Sequence, residues 1–177
     1  MIALACDHTG IELKEQIKTL LDGMNLAWKD FGTNEAGAGD DDYPIVGYRA
    51  AKAVADGECD RGIFICGTGI GIGIAAGKVK GIRVCTCSDV YSAELSKRHN
   101  NSNVLTMGAR VVGSELAKMI TTHWLTAEFE GGRHQRRIDM IAKIENGEAL
   151  SGTRKKEDAP MAGAPSLFIA VIRPASR

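Results

Sequence analysis

The feature that most constrains this chain is a regular alternation of short β-prone runs with amphipathic helical patterns, which continues to about residue 148. The predicted strands are Ile2–Cys6, Leu26–Phe31, Gly62–Cys66, Ile82–Cys87 and Val104–Met107. The predicted helices lie near residues 10–23, 44–56, 70–79, 89–98, 112–126 and 132–147. Such alternation is typical of βαβ units, so it predicts an α/β protein, a three-layer sandwich with helices on both faces of a five-stranded parallel sheet. Ligands of such sheets bind at the carboxyl ends of the strands.

Charge and cysteine content argue against several classes of protein. Lys plus Arg and Asp plus Glu both number 22, so the overall charge gives no reason to expect nucleic acid or a membrane surface as a partner. No stretch approaches the length of a membrane span, and the start MIALACDHTG lacks the basic segment of a signal peptide. The five cysteines form no CxxC pair, which favours a reducing compartment. We therefore expect a cytoplasmic protein.

The composition changes near residue 148, which predicts one domain over residues 1–148 and an extension over 149–177 whose role the sequence does not indicate. The segment Ser151–Pro165 is rich in Gly, Pro, Ala and charge, as a linker or a poorly ordered tail would be. The apolar run Ser166–Ile172 that follows leaves a second interpretation open, an arm docked on a neighbouring subunit.

Polar residues follow three of the predicted strands directly: Asp7-His8 after the first, Cys66-Gly67-Thr68 after the third and Ser88-Asp89 after the fourth. Because parallel strands end at one edge of the sheet, we expect these groups to converge on a crevice there. Taken singly, Asp7 or Ser88 has an ordinary alternative role as a helix cap.

The glycine run from Cys66 to Gly73 resembles a nucleotide-binding loop only superficially. The dinucleotide pattern fails from Gly67 and Gly69, and from Gly71 it begins too far beyond the strand. The P-loop pattern also fails, since Ile72 replaces its first glycine. What remains is a glycine turn opening into a helix, whose N–H groups favour a phosphate or an oxyanion that develops during reaction.

Cys66 stands at the start of this turn, where the positive potential of a helix N-terminus favours a thiolate. The alternative is a buried cysteine that only packs. Packing is what we expect of the other four cysteines, Cys6, Cys59, Cys85 and Cys87.

The last predicted helix carries two arginines on its apolar side. At 100° per residue, Arg133 and Arg137 share an arc with Met140, Ile141 and Ile144, which predicts that they lie in a buried stripe. Guanidinium groups in such a position require an anion, so we expect a phosphate clamp, the alternative being an ordinary basic helix end. Two weaker candidates lie elsewhere: His99, at the end of the fourth helix, either a surface residue or a general acid–base, and Arg110, after the fifth strand.

Taken together, these segments resemble the ribose-5-phosphate isomerase B family, which also includes galactose- and allose-6-phosphate isomerases. The matching segments are Cys6–Gly10, Asp42–Pro44, Cys66–Gly71, Arg98–Asn100, Gly108–Val111 and Gly132–Arg137. The resemblance implies a Rossmann-like fold and a homodimer or dimer of dimers whose active sites are shared between subunits. It also implies chemistry that needs neither a metal nor an organic cofactor.

The resemblance further implies catalytic roles for particular residues. Cys66 would be the base that moves a proton between C1 and C2 of the sugar, and Thr68 would assist proton transfer near the hydroxyls. His99 would open the furanose ring with help from Asp7. Another branch of the family uses a glutamate in the glycine turn as its base. No glutamate occurs between Gly67 and Lys78, which favours the cysteine branch.

The remaining residues that the resemblance singles out would bind the substrate. The enediolate would be stabilised by backbone N–H groups of the turn that contains Gly67, Gly69, Ile70 and Gly71. The phosphate would be held by His8, Arg133 and Arg137, with Arg110 reaching in from the partner chain. Tyr43 would line the sugar pocket, and Asn100 would join the substrate contacts.

The sequence therefore predicts an isomerase that interconverts ribose 5-phosphate and ribulose 5-phosphate through an enediolate. One alternative keeps the mechanism and changes the substrate to a hexose 6-phosphate such as allose or galactose 6-phosphate. The other is a sensor that binds sugar phosphates without turnover, which would have no use for Cys66 together with His99.

Overall fold

A computed structural model of the chain describes residues 1–35, 37 and 42–150. Its five strands form one parallel sheet in the order β2-β1-β3-β5-β4. The strands are β1 (Ile2–Cys6), β2 (Trp28–Asp30), β3 (Arg61–Cys66), β4 (Val84–Thr86) and β5 (Val104–Gly108). The helices are α1 (Ile11–Gly23), α2 (Tyr43–Ala55), α3 (Ile70–Ala76), α4 (Val90–Asn100), α5 (Ser114–Thr126) and α6 (Arg133–Glu145). The predicted fold class and sheet are confirmed.

Two strands are shorter than predicted, because the residues before them are used in turns. Asn25 has a left-handed φ of 55° and Leu26 donates its N–H to Leu21 at the end of α1, so β2 begins only at Trp28. Ile82 donates to Val79 in a turn, so β4 begins only at Val84.

The sheet is buried on both faces because neighbouring residues of β1 point to opposite sides. Ile2, Leu4 and Cys6 pack into a core with α1, α4 and α5, whereas Ala3 and Ala5 pack into a second core with α2 and α3. All five of these side chains are at most 4% exposed. The cores hold the carboxyl ends of β1 and β3 in a fixed position relative to the helices that follow them.

The other cysteines pack largely as predicted. Cys6, Cys59 and Cys87 are buried, and burial raises the pKa of the Cys6 thiol to about 11. Cys85 is half-buried and accepts a hydrogen bond from the Ser96 hydroxyl at 3.1 Å. All five cysteines are free thiols.

The predicted extension, residues 149–177, lies outside the described residues from position 151 onward, including both of its predicted segments. No helix in the described part of the chain is both long and apolar enough to cross a membrane.

Candidate active site

An open cleft of about 460 Å³ lies at the carboxyl ends of β1, β3 and β5. It is lined by residues from four connections of the fold, which we name the strand-end cluster: Asp7, His8, Thr9, Tyr43, Cys66, Gly67, Thr68, Ile70, Gly71 and Arg110. Two of the three predicted strand ends thus converge, since those of β1 and β3 are neighbours in the sheet.

Cys66 is the last residue of β3, and its side chain is held by the glycine turn. The thiol sulfur accepts the N–H of Gly69 at 3.1 Å. Gly69 has a φ of 78°, and a Cβ there would stand 2.7 Å from the carbonyl carbon of Met107. Only glycine permits this turn, which brings the backbone of β3's end against β5. The Thr68 hydroxyl accepts the N–H of Ile70 at 3.3 Å.

Asp7 supplies a buried carboxylate on the other side of the cleft. It is 6% exposed, and its Oδ1 accepts both the N–H of Thr9 at 2.9 Å and the Thr9 hydroxyl. His8, next to it, is exposed. The Tyr43 ring lies directly over Gly71, where a Cβ would meet the ring carbon Cε2 at 2.8 Å. The cleft therefore combines a thiol, a carboxylate, an exposed imidazole and a phenol.

Arg110 belongs to the strand-end cluster of its own chain. Its N–H donates to the carbonyl of Gly67 at 3.1 Å, and a Cβ on Gly67 would lie 3.7 Å from Arg110 Cδ. The prediction that Arg110 reaches the site from a partner chain is therefore wrong for this structure. The hydrogen bonds between the turn after β5 and the turn after β3 place it beside Cys66.

The third predicted strand end does not join the cleft. β4 lies at the edge of the sheet, separated from β3 by β5, so Ser88 and Asp89 are two strands away from Cys66. The Asp89 carboxylate instead caps α4 by accepting the N–H of Ser92 at 2.7 Å. This hydrogen bond to backbone N–H lowers the pKa of Asp89.

A second group of residues, four of them predicted site residues, lies where α4 ends and α6 begins. We name it the helix cluster: His99, Asn100, Glu130, Arg133, His134 and Arg137. The His99 and His134 rings stack with centroids 4.2 Å apart and planes within 4°. The Nε2 atom of each ring lies 3.6 Å from the same oxygen of Glu130.

Charge organises the helix cluster. Arg98 binds Glu130 through its Nε and Nη2 at 2.8 and 2.7 Å, and this interaction lowers the pKa of Glu130. Burial lowers the pKa of His134, and the neighbouring His99 and Arg133 lower it further. Both arginines of the predicted phosphate clamp, Arg133 and Arg137, are exposed.

The predicted apolar stripe of α6 is not buried within the chain. Met140, Ile141 and Ile144 are 41%, 48% and 59% exposed, and the helix buries His134 and Ile138 instead. The error has a simple cause, because helical periodicity identifies the apolar arc without saying whether the same chain covers it. The face that carries Arg133 and Arg137 is an apolar and basic surface.

The two clusters lie at opposite edges of the sheet. Cys66 pairs with Gly108, the last residue of β5, whereas α4 ends at Asn100, four residues before β5 begins at Val104. The length of β5, roughly 15 Å at the usual rise per strand residue, therefore separates Cys66 from His99 within one chain. The structure brings together the predicted residues within each cluster but not those of different clusters.

The helix cluster also contains three side chains of the types that bind metal ions. Among the described residues, one ligand atom each from His99, Glu130 and His134 lies within 4.8 Å of the others. A metal ion lies close to the plane of each imidazole that binds it, and two parallel rings share no such point. The stacked arrangement therefore does not fit a shared ion.

Sequence reasoning missed Thr9, Glu130 and His134 as members of these clusters. His134 carried a usable signal, because it lies four residues before Ile138 and the pair forms the stripe that α6 buries. Glu130 carried none, since only the tertiary fold brings it to Arg98. Thr9 carried at most a local signal, because its hydroxyl and N–H donate to Asp7, two residues before it.

Comparison with known proteins agrees with these features. Residues 2–141 match the protein family described as Ribose/Galactose Isomerase. Ribose-5-phosphate isomerase B of Escherichia coli is 52% identical over 144 residues, which cover 81% of this chain and 95% of that protein. A D-erythrulose-4-phosphate isomerase of Pectobacterium atrosepticum is 44% identical over 147 residues, covering 83% of this chain and 96% of the relative.

Solved structures show the same fold. Ribose-5-phosphate isomerase B of Mycoplasma genitalium, solved with bound ribulose-5-phosphate, superposes with a TM-score of 0.77 at 41% identity. That match covers 82% of this chain and 95% of the other. The enzyme from Clostridium thermocellum gives a TM-score of 0.78 at 49% identity, covering 82% of this chain and 97% of the other. With most of its length matched at these identities, the chain belongs to the ribose/galactose isomerase family.

Proposed function

We propose that this chain is an aldose–ketose isomerase that interconverts ribose 5-phosphate and ribulose 5-phosphate through an enediolate, without a metal or organic cofactor. Membership of the isomerase family and the similarity to enzymes named ribose-5-phosphate isomerase B support this reaction. The observation that carries it in this chain is the Cys66 sulfur, which accepts the Gly69 N–H in a cleft beside the buried Asp7.

In the proposed mechanism, the Cys66 thiolate removes the proton from C2 of the open-chain aldose. The C–H electrons form the C1–C2 double bond, and the carbonyl electrons move onto the C1 oxygen, where backbone N–H groups of the glycine turn stabilise the negative charge. Cys66 then returns the proton to C1, and C2 becomes the ketone. Thr68 moves the proton between the two sugar oxygens.

Ring opening comes first, because ribose 5-phosphate is mostly cyclic. His99 donates a proton to the ring oxygen while the C1 hydroxyl gives its own proton to the Asp7 carboxylate. The ring oxygen, C1 and C2 are close together in the sugar, and each catalytic group acts within hydrogen-bond reach of its atom. Cys66 and His99 of one chain are too far apart to meet this condition.

We therefore propose a homodimer in which the strand-end cluster of one chain faces the helix cluster of its partner. Exposed apolar side chains beside each cluster support this arrangement. Ile70 and Ile74 of α3 are 56% and 61% exposed near the cleft, and Met140 and Ile144 are exposed beside Arg137 on α6. A two-fold dimer would bury both surfaces and complete two sites at once. The phosphate of the substrate would lie among His8, Arg110, Arg133 and Arg137, with Asn100 beside the sugar.

The catalytic unit that we propose is residues 1–148, since the family match ends at residue 141 and the last described helix ends at Glu145. We assign no role to residues 149–177. A cytoplasmic location is supported by the five free thiols.

The decisive experiment mixes purified protein with ribose 5-phosphate in the presence of a chelator and follows ketose formation beside Cys66→Ala. We expect turnover by the wild type and a loss on the order of 10³-fold or more in the variant, because the substitution removes the group that we propose as the base. Cys85→Ala is the matched control and should keep full activity. Normal turnover by Cys66→Ala would contradict its assignment as the base.

Substrate range is tested with the same assay on hexose 6-phosphates and on D-erythrulose 4-phosphate, which the relatives at 44% and 46% identity are named for. Equal turnover of allose or galactose 6-phosphate would contradict the preference for ribose. Binding of sugar phosphates without turnover of any of them would instead identify a sensor.

A further inference from the structure

A buried histidine on the first turn of α6 has no part in the proposed mechanism. His134 is 5% exposed, although Arg133 and Gln135 on either side of it are exposed. Burying an imidazole costs desolvation free energy that an apolar side chain of similar size would avoid. Its position against His99 gives a reason for its presence.

Stacking on His134 restricts the orientation of the His99 ring. The two planes are within 4° of parallel at a centroid distance of 4.2 Å, so the His99 ring cannot turn about its long axis without colliding with its neighbour. The stack is itself anchored, because Glu130 donates its N–H to the carbonyl of Arg98, next to His99, at 3.0 Å. The loop before α6 is thus fastened to the end of α4.

The protonation of His134 suits a supporting role. Arg133 donates its Nε–H to His134 Nε2 at 3.3 Å, so this nitrogen carries no proton. Burial and the adjacent His99 and Arg133 lower the pKa of His134, against the opposing charge of Glu130. A lowered pKa favours the neutral form of His134, and a neutral ring supports its neighbour without donating a proton in its place.

We propose that His134 is a positioning residue, which holds the imidazole of His99 in the plane from which it reaches the ring oxygen of the sugar. This inference rests on the proposed function, because it concerns the ring-opening step alone. It predicts that a flat side chain at position 134 is required only for substrates that have a ring to open.

The test compares His134→Leu, which removes the flat ring, with His134→Phe, which keeps a flat ring and removes both nitrogens. With ribose 5-phosphate, we expect kcat of the Leu variant to fall by about 10- to 100-fold, as misplacement of a catalytic group typically does. The Phe variant should keep kcat within about threefold of wild type. Both variants lose the acceptor for Arg133, so any change in KM should be common to both.

D-erythrulose 4-phosphate provides the internal control, since neither it nor its aldose can form a five-membered ring while O4 carries the phosphate. The Leu variant should isomerise this substrate as the wild type does. Melting temperatures verify that both variants fold. The proposal is overturned if His134→Phe loses as much kcat as His134→Leu, or if His134→Leu stays fully active on ribose 5-phosphate. It is also overturned if kcat of His134→Leu falls equally on both substrates. If the wild type is inactive on D-erythrulose 4-phosphate, the comparison of the Phe and Leu variants on ribose 5-phosphate decides alone. If the wild type is inactive on ribose 5-phosphate, the proposed function itself is refuted.

Discussion

The strand-end cluster and the helix cluster lie at opposite edges of one sheet and are held in place by different kinds of interaction. In the strand-end cluster, backbone geometry does most of the positioning: Gly69 sets the turn and its N–H binds the Cys66 sulfur. In the helix cluster, side chains position one another, through the His99–His134 stack and the Arg98–Glu130 ion pair. Proton abstraction from carbon needs a rigid site for a developing charge, whereas phosphate binding needs long cationic side chains.

A small α/β chain can in this way obtain a site that it cannot build alone. The crossover helices return to the far edge of the sheet, so any group at the end of α4 is a strand's length from the catalytic edge. Pairing two copies brings both edges together. Four experiments test the contrast between the clusters.

The largest effect is expected when two inactive variants are mixed. Cys66→Ala removes the proposed base from the strand-end cluster, and His99→Ala removes the proposed acid from the helix cluster. Each homodimer should therefore be nearly inactive on ribose 5-phosphate. If subunits are exchanged by mild denaturation and refolding, half of the dimers are mixed and each has one intact site, so about a quarter of wild-type activity should return. Activity is measured before and after exchange.

Refolding each variant separately is the control for this complementation. Activity that stays at background after mixing, while a tagged subunit captures its untagged partner, would show that the two clusters do not combine across subunits.

The second prediction tests the rigidity of the strand-end cluster. Gly69→Ala should lower kcat on the order of 100-fold, since its Cβ would collide with the backbone of Met107 and displace the N–H that binds Cys66. Gly57→Ala is the matched control: its φ of 79° is nearly the same, but nothing lies within 4 Å of the added Cβ. Gly57→Ala should lower the melting temperature and leave kcat unchanged. Equal kcat for both variants would show that the turn tolerates displacement.

The third prediction tests the opposite character of the helix cluster. Removing one long cationic side chain by Arg133→Ala or Arg137→Ala should raise KM for ribose 5-phosphate by about 10- to 100-fold, the usual value of a hydrogen bond between charged groups. The change in kcat should be smaller, because the phosphate is distant from the reacting carbons. Arg136→Ala, on the same helix, is the control and should leave KM unchanged; an equal rise in all three would indicate a general charge effect.

Much of the strand-end cluster could be predicted from the sequence, because its members follow strands in the chain and the carboxyl ends of neighbouring strands meet. Cys66 and Asp7 needed only the βαβ pattern and the position of the glycine turn. That Arg110 lines the cleft of its own chain could not be predicted, since this depends on hydrogen bonds between the turns after β3 and β5.

The helix cluster was less predictable for a physical reason. The apolar arc of α6 was identified correctly, but periodicity cannot distinguish a face covered by the same chain from one left exposed, as Met140 and Ile144 are. The order of the strands in the sheet could not be predicted from the sequence either. Without the order β2-β1-β3-β5-β4, Asp89 looked as well placed for catalysis as Asp7.

The smallest effect is expected at this third strand end, where Asp89 caps α4 outside both clusters. Asp89→Ala should lower the melting temperature by a few degrees, since the cap bond to Ser92 is lost, and should leave kcat and KM unchanged. Asp89→Asn keeps an acceptor for the same bond and should recover most of the stability.

The pKa of Asp89 is lowered from 3.8, so its charge stabilises the fold above about pH 4. The difference between wild type and Asp89→Ala should therefore shrink as the pH falls through the lowered pKa. A loss of kcat in Asp89→Ala at unchanged melting temperature would place Asp89 in the active site and extend the strand-end cluster to β4.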